Sequence, residues 1–157
     1  IGALPHLPDV ELLIAGSGPD QAKLERLAAS LGVADRVRLL GSLPQDKLRS
    51  LYNAADCLVL ASSREGWANV LLEAMACGTP VLASNVWGTP EVVAAAEAGV
   101  LMRERSPAGI VEGLARLRAC LPDRLATRRY AEQFSWDATT RGQLELFAAV
   151  LKGAYHA

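Results

Sequence analysis

Residues 62–80 read SSREGWANVLLEAMACGTP and place two glutamates, Glu65 and Glu73, eight positions apart. The apolar run Cys57 to Ala61 leads into this stretch as a strand and stops at a polar loop. A helical pattern begins near Trp67 to Asn69, and Gly78, Thr79 and Pro80 close it before the next apolar run. The unit is strand, loop, helix, with one carboxylate in the loop and one on the helix.

The same unit recurs on both sides. Val10 to Ala15, VELLIA, is a short, nearly continuous apolar run between Pro8-Asp9 and Gly16, the pattern of a strand buried on both faces. Pro19 suits the first position of the following helix, which carries Leu24, Leu27, Ala28 and Leu31 at helical spacing up to Gly32. Val37 to Leu40 is the next strand, and Pro44 to Ala55 is a helix with Leu48, Leu51 and Tyr52 facing inward. After the central unit come a strand at Val81 to Ala83, a short helix at Pro90 to Ala98 and a strand at Val100 to Met102. From Ser106 onward the pattern is helical, with Pro107 and Pro122 opening helices and Ser135 capping a last one over Trp136 to Gly153. Alternation at this spacing predicts parallel βαβ units in a doubly wound, Rossmann-like α/β domain. Function then belongs to the loops at the carboxyl ends of the strands: Gly16 to Pro19, Gly41 to Pro44, Ser62 to Asn69 and Ser84 to Pro90.

Composition narrows the function classes. The chain has 157 residues, of which 51% are hydrophobic and 21% charged, enough apolar material for one core. A net charge of −1 offers no electrostatic ground for a nucleic-acid partner. The basic run Arg124 to Arg129 reads as a solvated helix face. Three widely spaced cysteines, Cys57, Cys77 and Cys120, fit buried free thiols in a reducing compartment. Neither a membrane span nor a signal peptide is present, so the expected location is cytoplasmic. Because the chain opens at Ile1, a fragment of a longer protein is expected.

Several chemistries lack their residues. Gly16, Ser17 and Gly18 form a glycine turn between strand and helix where amides can face a phosphate, but Gln21 breaks the dinucleotide fingerprint. No GxxxxGK[ST] loop occurs. The two histidines, His6 and His156, lie at opposite ends of the sequence, and no metal-ligand spacing is found. Ser62 and Ser63 have no nearby histidine to act as base. The two glutamates remain. A helix starting at Ala68 or Asn69 puts Glu73 roughly 6–8 Å along its axis and Glu65 just before it, flanking a helix N-terminus that favours an anion. Carboxylates repel phosphates and accept hydroxyls, so the fitting ligand has hydroxyls on either side of a diphosphate: a nucleotide sugar. Glu73 also sits among Val70, Leu71, Leu72, Ala74, Met75 and Ala76, where a carboxylate needs a partner.

These residues resemble a known family. Glu65 to Glu73 in EGWANVLLEAMACGTPV is similar to the EX7E signature of retaining glycosyltransferases of the GT-B fold, group 1 (family 4). LLIAGSGP, VRLLGSLP, NVWGTPEVV and the late FSW also look like segments of that family's carboxy-terminal, donor-binding domain. The resemblance implies that Glu65 contacts the transferred sugar and helps stabilise its oxocarbenium-like transition state, and that Glu73 binds the ribose. It implies that Gly66, Trp67, Ala68 and Asn69 meet the sugar and diphosphate, that Gly16, Ser17 and Gly18 line the nucleotide cleft, and that Ser42 and Leu43 border the base. No essential metal and no other cofactor is implied. Membrane association would be peripheral, through the amino-terminal acceptor domain.

Three departures qualify the match. Ala68 stands where an EGxP motif has proline. The family's first strand, with the Arg and Lys that clamp the diphosphate, precedes Ile1, and Lys23 and Arg26 are helical and no substitute for them. In a 3-2-1-4-5-6 sheet its absence either leaves a gap or forces its two neighbours to pair. The acceptor domain is also absent, so the resemblance implies weak donor binding and no transfer by the chain alone. An epimerase or phosphorylase of the same architecture, or a non-catalytic nucleotide-binding or interaction module, are the alternatives.

Overall fold

The computed structural model describes residues 1–152, apart from the side chain of Ala138. Strands and helices alternate as β1 (Leu12–Ala15), α1 (Gln21–Ser30), β2 (Val37–Gly41), α2 (Gln45–Ala54), β3 (Leu58–Leu60), α3 (Asn69–Ala76), β4 (Val81–Ser84), α4 (Thr89–Val92) and β5 (Gly99–Met102). Helices α5 (Pro107–Ala119), α6 (Arg124–Ala131) and α7 (Trp136–Leu151) follow. Every strand pair is parallel, as the βαβ reading requires.

The sheet is in two pieces. β1 pairs with β2, β4 lies between β3 and β5, and among the described residues no ladder joins β1 to β3. Of the two outcomes expected for the sheet, the structure takes the gap. β1 consequently departs from its expected double burial, with Leu13 38% exposed and Ala15 also open to solvent. A strand with one unpaired edge and a two-stranded sheet around it has too few neighbours to cover both faces. All of β4 is buried, as a strand with a partner on each side should be.

Each piece has its own core. Leu4, Ala28 and Val33 pack with Val10, Leu12 and Val37 around the β1–β2 piece. Tyr52, Leu71, Met75, Val81, Ala83 and Val92 form the larger core around β3–β5. α2 carries the chain from one to the other, following β2 in sequence while burying Tyr52 in the second core. The amino-terminal segment is fastened by Arg36, whose guanidinium donates to the carbonyls of Leu7 (2.5 Å), Leu4 (2.9 Å) and Val10 (3.1 Å).

Proline marks the start of α5, at Pro107, but not of α1 or α2. α1 starts at Gln21 rather than Pro19, and Pro44 occupies the N-cap of α2 rather than its first turn. Ser106 Oγ accepts from the Gly109 amide at 3.0 Å, and Asp123 Oδ1 from Leu125 and Ala126 at 3.0 and 3.1 Å. Ser135 holds the N-cap of α7 with no side-chain bond; the expected end at Gly153 lies outside the described residues. α4 stops at Val92 instead of Ala98. Val92 and Val93 are both buried, and consecutive helical positions point about 100° apart, so the helix gives way to a turn that sends both inward. Cys120 is exposed, against expectation, because α5 ends just before it. Among the described residues no helix is long and apolar enough to cross a membrane.

Candidate functional site

The loop after β3 and helix α3 hold the central pair of carboxylates. Leu71, Ala74 and Met75 are fully buried and fix which face of α3 points inward. Glu73 is left on the flank, half-buried. There it meets α2: the Tyr52 phenol donates to Glu73 Oε2 at 3.1 Å. Burial first, then the carboxylate's charge and this hydrogen bond, push the Tyr52 hydroxyl up to about 12. The partner that a carboxylate on an apolar helix demands is thus Tyr52. Sequence reasoning had turned this residue inward without giving it a role. A groove of about 520 Å³ opens beside the pair, lined also by Gln45, Asp46, Arg49 and Arg128.

The amino end of α3 differs in detail from expectation. Ala68 occupies the N-cap with no side chain to cap it. The Asn69 amide donates to Trp67 O and the Leu71 amide to Ala68 O, both at 3.0 Å. Two amides expected to face an anion are therefore held by the loop itself.

Glu65 is half-buried and Gly66 exposed within that loop. The loop after β4 lies directly on it: a Cβ on Gly88 would stand 2.2 Å from Gly66 O, so only glycine permits the approach. Ser84 Oγ, at the end of β4, donates to Ser62 O at 2.7 Å and ties the two strand ends together. Trp67 packs on Phe134, ring centroids 5.9 Å apart, and Phe134 on Tyr130 at 5.4 Å. Beside Gly88, Trp87 is 70% exposed and holds a φ of 45°, a left-handed conformation that a bulky residue seldom adopts. Nothing in the sequence signals Trp87. The glycine of the WGTPE run could have flagged a close backbone approach.

The turn of Gly16, Ser17 and Gly18 meets the loop after β2. Gly16 has a φ of 136° and its amide donates to Gly41 O at 2.7 Å. The hydroxyls of Ser17 and Ser42 are 2.8 Å apart. A cavity of about 220 Å³ opens beside the glycine turn, against Ile14, Leu24 and Leu39. Leu43 is half-buried next to Ser42. The expected site residues therefore fall into three clusters: the Gly16 turn with Ser42, Glu73 with Tyr52, and Glu65 and Gly66 with Gly88. No side-chain hydrogen bond among the described residues links one cluster to another. Lys23 and Arg26 are exposed on α1. No group of three or more metal-ligating side chains occurs among the described residues.

The family model of the glycosyl transferases group 1 matches residues 1–134. The chain belongs to this family. Among its group 1 relatives are the D-inositol 3-phosphate glycosyltransferases of Salinispora tropica, 38% identical over 91% of this chain and 32% of theirs, and of Salinispora arenicola, 40% identical over 91% and 34%. The chain thus spans about a third of the length of the curated relatives it matches. A solved sucrose-phosphate synthase from Thermosynechococcus elongatus is 31% identical, with a TM-score of 0.80 over 94% of this chain and 41% of that one. Anabaena Alr3699/HepE, solved in complex with UDP-glucose, is 24% identical with a TM-score of 0.75 and shows the fold alone. The doubly wound, Rossmann-like α/β class and the group 1 resemblance both stand. The chain covers 41% and 43% of these two neighbours.

Proposed function

We propose that the chain is the donor-binding domain of a retaining glycosyltransferase, which transfers a sugar from a nucleotide diphosphate sugar to an acceptor held by a domain outside this chain. The observation that carries the reading is the group 1 match over residues 1–134 together with Glu65 and Glu73 on one strand-end loop and the helix it opens. In this reading Glu73 accepts hydrogen bonds from ribose hydroxyls. Glu65 contacts the sugar and stabilises the positive charge that grows at its anomeric carbon as the leaving diphosphate departs. Gly66, Trp67, Ala68 and Asn69 border the sugar and diphosphate; Gly16, Ser17 and Gly18 line the nucleotide cleft; Ser42 and Leu43 border the base. Transfer proceeds without an essential metal. The half-buried thiols of Cys57 and Cys77 accord with a reducing cytoplasm, and any membrane contact is peripheral and made by the acceptor domain.

Titration calorimetry of the chain with UDP, GDP and ADP tests this. At least one nucleotide is expected to bind, and Glu73→Gln to weaken it roughly tenfold, as loss of a charged hydrogen-bond acceptor does. Glu65→Gln is expected to leave the free nucleotide unaffected and to weaken only its nucleotide sugar. Failure of all three nucleotides to bind, or equal and negligible effects of both substitutions, rejects the reading.

A further inference from the structure

We infer that Tyr52 is the positioning residue of the nucleotide site, its phenol holding the Glu73 carboxylate in the orientation that accepts the ribose hydroxyls. The inference rests on the reading of Glu73 just given and adds a residue to it.

Three features carry it. The phenol donates to Oε2 alone, at 3.1 Å, and among the described residues Oε1 takes no protein hydrogen bond, so one oxygen is anchored while the other keeps its lone pairs for a ligand. The anchor is itself fixed. The Tyr52 carbonyl accepts from the fully buried Thr79 hydroxyl at 2.5 Å. That hydroxyl is in turn held by Arg124 Nη2 at 2.9 Å, and the same guanidinium donates to the carbonyls of Asn53 and Ala55 at 2.9 and 3.0 Å. Tyr52 is only 7% exposed and sits in the core with Leu71 and Met75, so its ring has no room to follow a moving carboxylate. Finally, Glu73 needs holding. Arg49 and Arg128 line the same groove, and either guanidinium is a stronger attractor for a loose carboxylate than a neutral diol. With the phenol in place, Oε2 is satisfied and the carboxylate is held against Tyr52, while Arg128 is already paired with Glu132.

The consequence is selective. Removing the phenol oxygen should impair recognition of the ribose 2′- and 3′-hydroxyls and leave the diphosphate contacts alone. Wild type, Tyr52→Phe, Glu73→Gln and the double variant are titrated with UDP, GDP and ADP and with their 2′-deoxy forms, and with inorganic pyrophosphate as a ligand without hydroxyls. The wild type is expected to prefer the ribo form. Tyr52→Phe should shrink that preference roughly three- to tenfold, leave pyrophosphate unchanged, and add nothing in the Glu73→Gln background. A ligand-independent measurement accompanies it: the Tyr52 ring carbon, titrated by NMR, should show its pKa fall from about 12 in Glu73→Gln. Equal weakening of ribo, deoxy and pyrophosphate ligands by Tyr52→Phe means a structural role and overturns the inference, as does an unshifted Tyr52 titration. If Glu73→Gln lowers the ribo preference and Tyr52→Phe does not, the inference falls and the reading of Glu73 stands. If Glu73→Gln does not lower it, the reading of Glu73 falls and takes the inference with it.

Discussion

Tyr52 of the larger core and Cys57, just before β3, make the protein sensitive to alkali. Burial pushes the Cys57 thiol up from 9.0 to about 12, and burial and Glu73 push the Tyr52 hydroxyl from 10.0 to about 12. Each group therefore keeps its proton in the folded chain over a range where the unfolded chain has lost it. Their contribution to stability is whole below the unfolded values and disappears as pH rises towards 12. The urea midpoint is expected to hold steady from pH 7 to about 9 and then to fall through pH 12, with Glu73→Gln flattening the upper part of the fall. A midpoint unchanged to pH 12 would overturn both assignments. At this scale the sequence was legible wherever a residue's character conflicted with its surroundings. Glu73 among apolar neighbours announced that it needed a partner, but the identity of that partner depended on how α2 lies against α3, which no local pattern encodes. Gly88 was legible only as a possible close approach, because its partner, Gly66, lies on another loop.

At the scale of elements, the order of strands and helices was readable because four of the five apolar runs end at Gly or Ser and the last at Arg103. Proline misled at two helix starts, although Pro107 does open α5. Pro19 and Pro44 lie just outside their helices, whereas Ser106 and Asp123 mark theirs with side-chain bonds to the first amides. The basic run Arg124 to Arg129 also proved to be more than a solvated face. Arg128 pairs with Glu132 at 3.0 Å on the surface, but Arg124 closes the carboxyl ends of α2 and α3. It donates to Asn53 O, Ala55 O, Cys77 O and Thr79 Oγ1. Its own backbone lies so close to Gly78 that a Cβ there would stand 2.7 Å from Arg124 O. Because the head group is solvent-accessible, water replaces part of what it gives, and Arg124→Ala is expected to cost about 1–3 kcal/mol in urea unfolding. Arg124→Lys should recover little, since an ammonium cannot reach several carbonyls with a planar fork. Full recovery by lysine would show that charge alone matters at this position.

The whole molecule is two unequal parts joined through α2 and the packing of the amino-terminal segment. Gly2 lies against Pro107, and Asp9 pairs with Arg118 of α5 at 2.9 Å across exposed surface. An exposed ion pair adds little, so the β1–β2 part depends on its small core around Leu4, Ala28 and Val33. The β3–β5 part has β4 wholly buried between two partners, and Leu71, Met75 and Leu82 fully enclosed. The sequence foresaw the class of sheet but not this asymmetry, because the apolar run of β1 looks the same whether or not a neighbour covers it. Local opening follows the amount of apolar surface that each unit buries. Amide hydrogen exchange is therefore expected to be slowest in β4 and its partners β3 and β5. Leu12 to Ala15 and Val37 to Gly41 should exchange earlier, through openings that leave the larger core intact. Glu73→Gln and Tyr52→Phe, both in the larger part, should speed exchange of α3 and leave the β1–β2 rates unchanged. Equal protection across all five strands would mean that the two cores open together, and the division into two parts would then have no energetic meaning.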